Sequence, residues 1–152
     1  MQRVLDNIES LVECGSQFRM VVTGYSMLPL LGYGRDHIMV RRIDHNEPIE
    51  GRIAMFRSAN RHIIVHRVLG VDGEMVIFQG DGNLYQKERC RRDEVIGVVD
   101  SVIRESGKVV SCTTASWRRR ERMWLCLPLL VRRLVLGILR RCANFKRRND
   151  KK

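Results

Sequence analysis

Three residues of this sequence, a serine, a histidine and an aspartate, are of the types that together cleave an acyl bond. Ser26 lies in VTGYSMLPLLGYG, His66 in the strand-like HIIVHRV, and Asp81 in the turn GDGN. A serine hydroxyl needs a nearby base to accept its proton, and a neutral imidazole does this near its own pKa. A carboxylate on the second ring nitrogen would hold the correct tautomer. The pattern predicts a nucleophile, a base and an orienting acid, in that order.

Each of these residues also has a simpler interpretation. Ser26 could cap a short helix over SMLPLL, His66 could be an ordinary core or surface histidine, and Asp81 could be a turn residue. Acyl transfer further needs a donor for the oxyanion, and the backbone N–H of Ser26 is the natural candidate.

The sequence predicts no metal and no cofactor. His62 and His66 have HxxxH spacing, but HIIVH is β-branched and lacks the glutamate of a metalloprotease helix. The five cysteines are odd in number and none has CxxC spacing, which disfavours a disulfide framework and a structural zinc site. A reducing compartment is the simplest interpretation.

Most of the chain has the pattern of β-strands. Seven segments rich in Val and Ile are separated by turn residues such as VDGE, GDGN and ESGK. VLGVDGEMVIFQ is typical of a hairpin around Asp72 and Gly73. No strand–helix alternation occurs, so we expect a mainly β fold with a coiled antiparallel sheet. The segments are QFRMVVTG, HIMVRRI, RIAMFR, HIIVHRVLGV, EMVIFQG, EVIGVVDSVI and KVVSC.

Helical patterns stand at the two ends. Residues 2–14 have apolar positions on one helical face and Gly15 as a stop, and they do not resemble a signal peptide. We therefore predict a short N-terminal helix over 1–15, a β domain over 16–114 and a basic amphipathic helical tail over 115–152.

The net charge of +11 belongs to the tail. Residues 1–117 carry 15 Lys+Arg and 15 Asp+Glu, whereas residues 118–152 carry 13 and 2. The balanced β domain therefore has no basic face for nucleic acid. The apolar positions after Pro128, flanked by arginines and by Trp117 and Trp124, favour an in-plane helix on an anionic membrane surface. A helix packed on the protein's own core is the alternative.

Ordered short motifs give the chain a family resemblance. Gly24, Ser26, Met27 and Pro29 resemble the serine box of the signal peptidase I and LexA-like superfamily of serine peptidases. GRD at 34–36 and GRIAMF at 51–56 resemble the following boxes, with arginines at two positions. VHRV at 65–68 resembles the base box of the histidine-using archaeal and endoplasmic-reticulum branch. GDGN at 80–83 and EVIGVV at 94–99 resemble the closing boxes.

The resemblance implies a signal peptidase-like β fold and a serine endopeptidase that uses Ser26, His66 and Asp81. It also implies a peptide or protein substrate bound in extended form as an added strand. No N-terminal spanning segment is present, so we expect a cytoplasmic protein, peripheral on the inner membrane face. Its substrate would then be a precursor or leader peptide cut at or near the membrane.

Two other functions remain open. Arginine occupies positions 35 and 52, where the family usually has a simple Gly-Asp motif. Arg35 and Arg52 therefore favour a non-catalytic peptide-binding or scaffold protein that keeps the fold. A self-cleaving LexA-like regulator is disfavoured because no helix-turn-helix domain precedes the β domain and no lysine lies between Met1 and Gln86.

Overall fold

The structure, a computed structural model, describes residues 17–44 and 46–149. The helix predicted over residues 1–15 lies outside these ranges.

In the described residues, eight strands form one antiparallel sheet, which confirms the mainly β prediction. Their order across the sheet is β1-β2-β7-β3-β4-β5-β6, and β8 pairs with β7 beside this path. Every recorded pairing is antiparallel. The strands are β1 Phe18–Val21, β2 His37–Arg41, β3 Ile53–Arg57, β4 Ile63–Asp72, β5 Met75–Gln79, β6 Lys87–Arg91, β7 Val95–Ile103 and β8 Val109–Ser111.

The seven predicted segments each contain a strand, and the predicted hairpin joins β4 to β5. Asp72 pairs with Met75 across that turn, and Gly73 has the positive φ of 59° that glycine readily adopts. The strand that was not predicted from the sequence is β6, KERCR. Four of its five residues are charged, so its alternation of outward and inward positions is not visible as an apolar pattern. Its Cys90 is buried and pairs with Val76 of β5, so the partner strand stabilises a segment with weak β propensity.

Two helices follow the sheet where one amphipathic tail helix was predicted. Helix α1 spans Ala115–Cys126 and helix α2 spans Leu129–Asn149. The Thr114 side chain caps α1 by accepting the Trp117 N–H at 3.3 Å. Leu127 is extended because the residue before a proline is disfavoured in helical geometry, and this separates the two helices.

The helices are part of the folded body, so the expectation of interfacial tryptophans is wrong. Trp117 is buried in the core with β1, β2 and β7, and Trp124 packs with Leu28 and Leu136 in a cluster of its own. A large aromatic side chain gains more by burial in an available core than by exposure. Helix α1 is therefore anchored to the β domain at both tryptophans.

The described helices do not meet the requirements of a membrane span. None of them combines the length and the apolar character that crossing a bilayer requires.

Candidate active site

Ser26 lies in a tight turn held down by its neighbours. Residues 26–30 form a turn and no helix begins there, so the interpretation of Ser26 as a helix cap is wrong. The N–H of Leu31 donates to the Met27 carbonyl at 3.0 Å. Met27 and Leu31 are buried, whereas Ser26 itself is only half-buried. Apolar anchors thus fix the turn and leave the serine accessible.

The turn after β5 brings the serine and the histidine together. The Gly82 N–H donates to the Ser26 carbonyl at 2.7 Å. A Cβ built on Gly80 would lie 3.0 Å from His66 Nε2 and 3.1 Å from Ser26 Cβ. Both atoms therefore border the space that a side chain at position 80 would occupy.

Glycine is needed at both 80 and 82 for this approach. A Cβ on Gly80 would come within 2.5 Å of the Ser26 carbonyl oxygen, and one on Gly82 within 2.6 Å of the Tyr25 carbonyl oxygen. These are backbone atoms, so no side-chain movement could relieve the contacts. Because Gly80 and Gly82 have no side chains, the GDG turn can pack directly against the backbone of the serine turn.

His66 is buried on β4, and its second nitrogen meets a carboxylate. His66 Nδ1 lies 2.7 Å from Glu88 Oε2 on β6. An ionised carboxylate only accepts hydrogen bonds, so we assign the proton to Nδ1 and the lone pair to Nε2. Nε2 is the nitrogen beside Gly80 and Ser26, which is the arrangement that a general base requires.

Sheet register explains why Glu88 reaches His66. Arg67 pairs with Gln79, and Phe78 pairs with Glu88. Side chains alternate between faces along a strand, so His66 and Glu88 point to the same face of the sheet. Gly80 follows Phe78 on the same face and has no side chain.

The structure corrects the predicted role of Asp81 as the partner of His66. Both Asp81 oxygens accept from Arg67, with Nε–Oδ1 and Nη2–Oδ2 distances of 2.7 Å. Arg67 follows His66 on β4 and therefore points to the opposite face. A bidentate guanidinium is a strong partner for a buried carboxylate, and both side chains are 2% exposed. Asp81 is thus held away from the imidazole.

Arg67 also connects this pair to helix α1. Its Nη1 donates to Glu121 Oε1 at 2.8 Å and to the Gly51 carbonyl at 2.6 Å. Burial opposes the charge on Arg67, but the hydrogen bonds and charges of Asp81 and Glu121 outweigh it and raise the pKa of the guanidinium. The result is a buried cation between two carboxylates.

The backbone of the GDG turn is held from the helical side. Trp124 Nε1 donates to the Asp81 carbonyl at 3.1 Å, and Arg132 Nη2 donates to the same oxygen at 3.3 Å. Arg140 Nη2 donates to the Gly82 carbonyl at 2.8 Å. Both helices therefore contribute to the position of the turn that packs against Ser26.

Sequence reasoning missed Glu88, although a signal existed. In KERCR, Glu88 and Cys90 alternate with charged neighbours, as on a strand with one inward face. In the structure, exposed residues alternate with buried or half-buried ones along this strand, and Glu88 is half-buried. Assignment of β6 as a strand would have placed a carboxylate on the inward side.

The structure brings a serine, a histidine and a carboxylate close together. Among the described residues, no hydrogen bond joins Ser26 Oγ to His66, and the Ser26 N–H meets no acceptor. Catalytic contacts are often longer before substrate binds. Ser26 Cβ and His66 Nε2 thus border the same small space beside Gly80.

A small cleft lies beside Ser26. Its cavity volume is about 170 Å³ and its lining is mostly apolar. Within the described residues, β1 pairs only with β2, and Ile63–Val65 pair only with β3. The lining comes from both unpaired edges and from the serine turn, namely Met20, Val21, Val22, Thr23, Gly24, Ser26, Met27, Leu31, Ile38, Ile63, Ile64 and Val65.

The thiols of Cys90, which is buried, and Cys112, which is partly buried, are poor nucleophiles. Burial, followed by nearby carboxylates, raises the pKa of Cys90 and of Cys112 to about 12. The thiolate is the reactive form of cysteine, so both are inert near neutral pH. In the part of the chain that the structure describes, no group of three or more His, Cys, Asp or Glu side chains could hold a metal ion.

Comparison with known proteins leaves the site to be judged by its geometry. No protein-family model matches the chain, and no curated protein matches it.

Proposed function

We propose that this protein is a serine endopeptidase in which Ser26 is the nucleophile and His66 is the base. The observation that carries the proposal is that Ser26 Cβ and His66 Nε2 both lie about 3 Å from the position that a Cβ on Gly80 would take, with Glu88 on His66 Nδ1. Glu88 takes the orienting role that the sequence assigned to Asp81. The substrate would be a precursor or leader peptide.

Each residue has a defined step in this mechanism. His66 Nε2 takes the proton of the Ser26 hydroxyl as Oγ attacks the scissile carbonyl carbon. The Ser26 N–H donates to the oxyanion that develops. His66 then gives its proton to the leaving amine, which leaves an acyl-enzyme. Water, deprotonated by His66, hydrolyses the ester and restores the serine.

The motif order and the fold together favour the signal peptidase and LexA-like type, in its histidine-using branch. The serine box precedes β2, the base lies on β4, and the GD box follows β5. The antiparallel sheet is compatible with that family. The arginines that depart from its pattern are used elsewhere, since Arg52 Nη1 donates to Glu47 at 2.6 Å and Arg35 lies 4.0 Å from Glu105. Their presence therefore does not weaken the catalytic proposal.

The free strand edges support an extended substrate. A peptide between β1 and Ile63–Val65 would form main-chain hydrogen bonds to one or both edges, as in β-strand addition. Its scissile bond would pass Ser26, which lines the same cleft. The small apolar cavity there favours a small apolar side chain next to that bond.

Cleavage of a mixture of synthetic peptides with randomised sequences tests this function. We expect the full-length protein to produce new peptide ends, preceded by small apolar residues, when the digest is sequenced by mass spectrometry. Ser26→Ala should reduce cleavage by at least about 10³-fold, because removal of a catalytic serine leaves only binding and oxyanion stabilisation.

Ser106→Ala is the matched control, since Ser106 is exposed in the turn between β7 and β8. It should cleave as the unmodified protein does. Equal cleavage by Ser26→Ala and Ser106→Ala would show that Ser26 is not the nucleophile.

A further inference from the structure

Helix α2 presents an apolar face to the outside of the molecule. Leu130 is 75% exposed, Leu134 67% and Ile138 54%, and Val131 beside them is also exposed. At 100° per residue these four positions fall within about one quadrant of the helix. We call them the outer face of α2. Exposed apolar residues that are contiguous in this way indicate an interaction surface.

The opposite side of α2, which carries arginines, faces the protein. Arg132 lies 5.1 Å from the Trp124 ring centroid, and Arg140 donates to the Gly82 carbonyl. Leu136 is buried on the same side. An ordinary surface helix buries its apolar stripe and exposes its charges. Here the inner side of α2 packs Val135, Leu136 and Leu139 against the protein and also uses Arg132 and Arg140. The outer face is a second apolar strip, which remains exposed.

The helical part of the chain that carries the outer face is strongly basic. Arg118, Arg119, Arg120 and Arg122 of α1 are exposed, and Arg141 at the outer side of α2 is exposed too. The acid among them, Glu121, is already paired with Arg67. In sequence, residues 118–152 carry 13 Lys+Arg and 2 Asp+Glu. A suitable partner is therefore apolar inside and negatively charged at its surface.

We propose that the outer face of α2 docks onto an anionic lipid bilayer, with its four apolar residues below the headgroups. An in-plane helix binds through its apolar face and through attraction of nearby basic residues to anionic lipids. A second copy of this chain is a poorer occupant, because face-to-face pairing would bring two arginine-rich surroundings together. Nucleic acid is poorer still, because the centre of the face is apolar.

Docking of this kind would place the candidate site close to the membrane. The backbone of Asp81 and Gly82 is held by the inner side of α2, opposite to the outer face. One helix diameter, about 10 Å, therefore separates that turn from the docking face. The inference does not depend on peptidase activity, but it favours peptides held at the bilayer surface as substrates.

Vesicle cosedimentation of the full-length protein tests the proposal. We expect binding to phosphatidylcholine vesicles that contain phosphatidylserine, weaker binding to pure phosphatidylcholine, and partial release at high salt. Leu130→Glu combined with Leu134→Glu should weaken binding by about 100-fold or more, since two buried leucines are lost. Arg119→Gln combined with Arg122→Gln should weaken binding to the anionic vesicles alone.

Val109→Glu is the matched control, because Val109 is an exposed apolar residue of the β domain, 62% accessible. It should bind as the unmodified protein does, and all variants should keep the same thermal transition because the changed side chains are exposed. The proposal is overturned if the unmodified protein ignores anionic vesicles, or if the leucine variant binds equally well. It is also overturned if the protein is a dimer that only the leucine variant dissociates. Ser26→Ala should bind normally, so failure of the peptidase function and failure of docking are separable.

Discussion

Replacing Glu88 by glutamine is expected to lower turnover by about 10⁴-fold while the protein stays folded. Glutamine keeps the size of the side chain but can present its amide to His66 Nδ1, which favours the wrong tautomer and removes the charge that stabilises the imidazolium. Glu88 is half-buried at 21% side-chain exposure and lies on the edge strand β6. The measurement is kcat/KM on a peptide cleaved by the unmodified protein.

Glu50→Gln is the comparison, because Glu50 is exposed in the turn before β3. It should leave kcat/KM and the thermal transition unchanged. If Glu88→Gln retains full turnover, Glu88 is only a structural neighbour of His66 and the site works without an orienting carboxylate.

Replacing Asp81 by asparagine is expected to have its main effect on stability. The change removes one of two carboxylates from Arg67, a guanidinium that is 2% exposed. Loss of one partner of a buried ion pair costs about 3–5 kcal/mol, and the lower end applies here because Glu121 remains. Denaturant unfolding should therefore show a free energy of unfolding lower by about 3 kcal/mol.

Asp72→Asn gives the matched control in the exposed β4–β5 hairpin, where a substitution should change the free energy of unfolding by less than about 0.5 kcal/mol. Folded Asp81→Asn protein should keep much of its turnover, since Glu88 still orients His66. Unchanged stability together with a loss of turnover as large as that of Glu88→Gln would instead restore Asp81 to the catalytic role.

The sheet was predictable from local pattern, with one instructive exception. Richness in Val and Ile between turn residues predicted seven strands, because β-branched residues favour strands and turn residues end them. KERCR has a single apolar position, Cys90, and its strand depends on pairing with β5. Such dependence on a partner is a tertiary effect that single-segment propensity does not contain.

The candidate site was predictable in residue type but not in pairing. Ser26 and His66 are predictable as a nucleophile and a base because a hydroxyl and an imidazole have complementary chemistry. Their close approach at Gly80 is consistent with that prediction. The orienting role was assigned to Asp81 and not to Glu88, because GDGN is a recognisable turn motif whereas Glu88 lies in a run of charged residues. The register of the strands determines which carboxylate contacts His66. Arg67 binds Asp81 on one face of the sheet, and His66 contacts Glu88 on the other face.

The tail shows a different limit of sequence reasoning. Its helical periodicity was correctly identified, including the side with Arg132 and Arg140. Which side turns inward depends on acceptors that lie far away in sequence, namely the carbonyls of Asp81 and Gly82. Trp117 and Trp124 are likewise buried in hydrophobic clusters of the protein itself. Amphipathicity therefore predicted the two sides of α2 without predicting their partners.

The most direct test of the peptidase mechanism is covalent labelling of Ser26 with a fluorophosphonate, located by mass spectrometry of the digested protein. We expect an adduct on the peptide that contains Ser26, no adduct there in Ser26→Ala, and labelling slowed by at least about 10²-fold in His66→Ala, because the base no longer activates the hydroxyl. A folded protein that gives no adduct at Ser26, or that labels equally fast without His66, would contradict the mechanism and leave a peptide-binding protein with a signal peptidase-like fold as the better description.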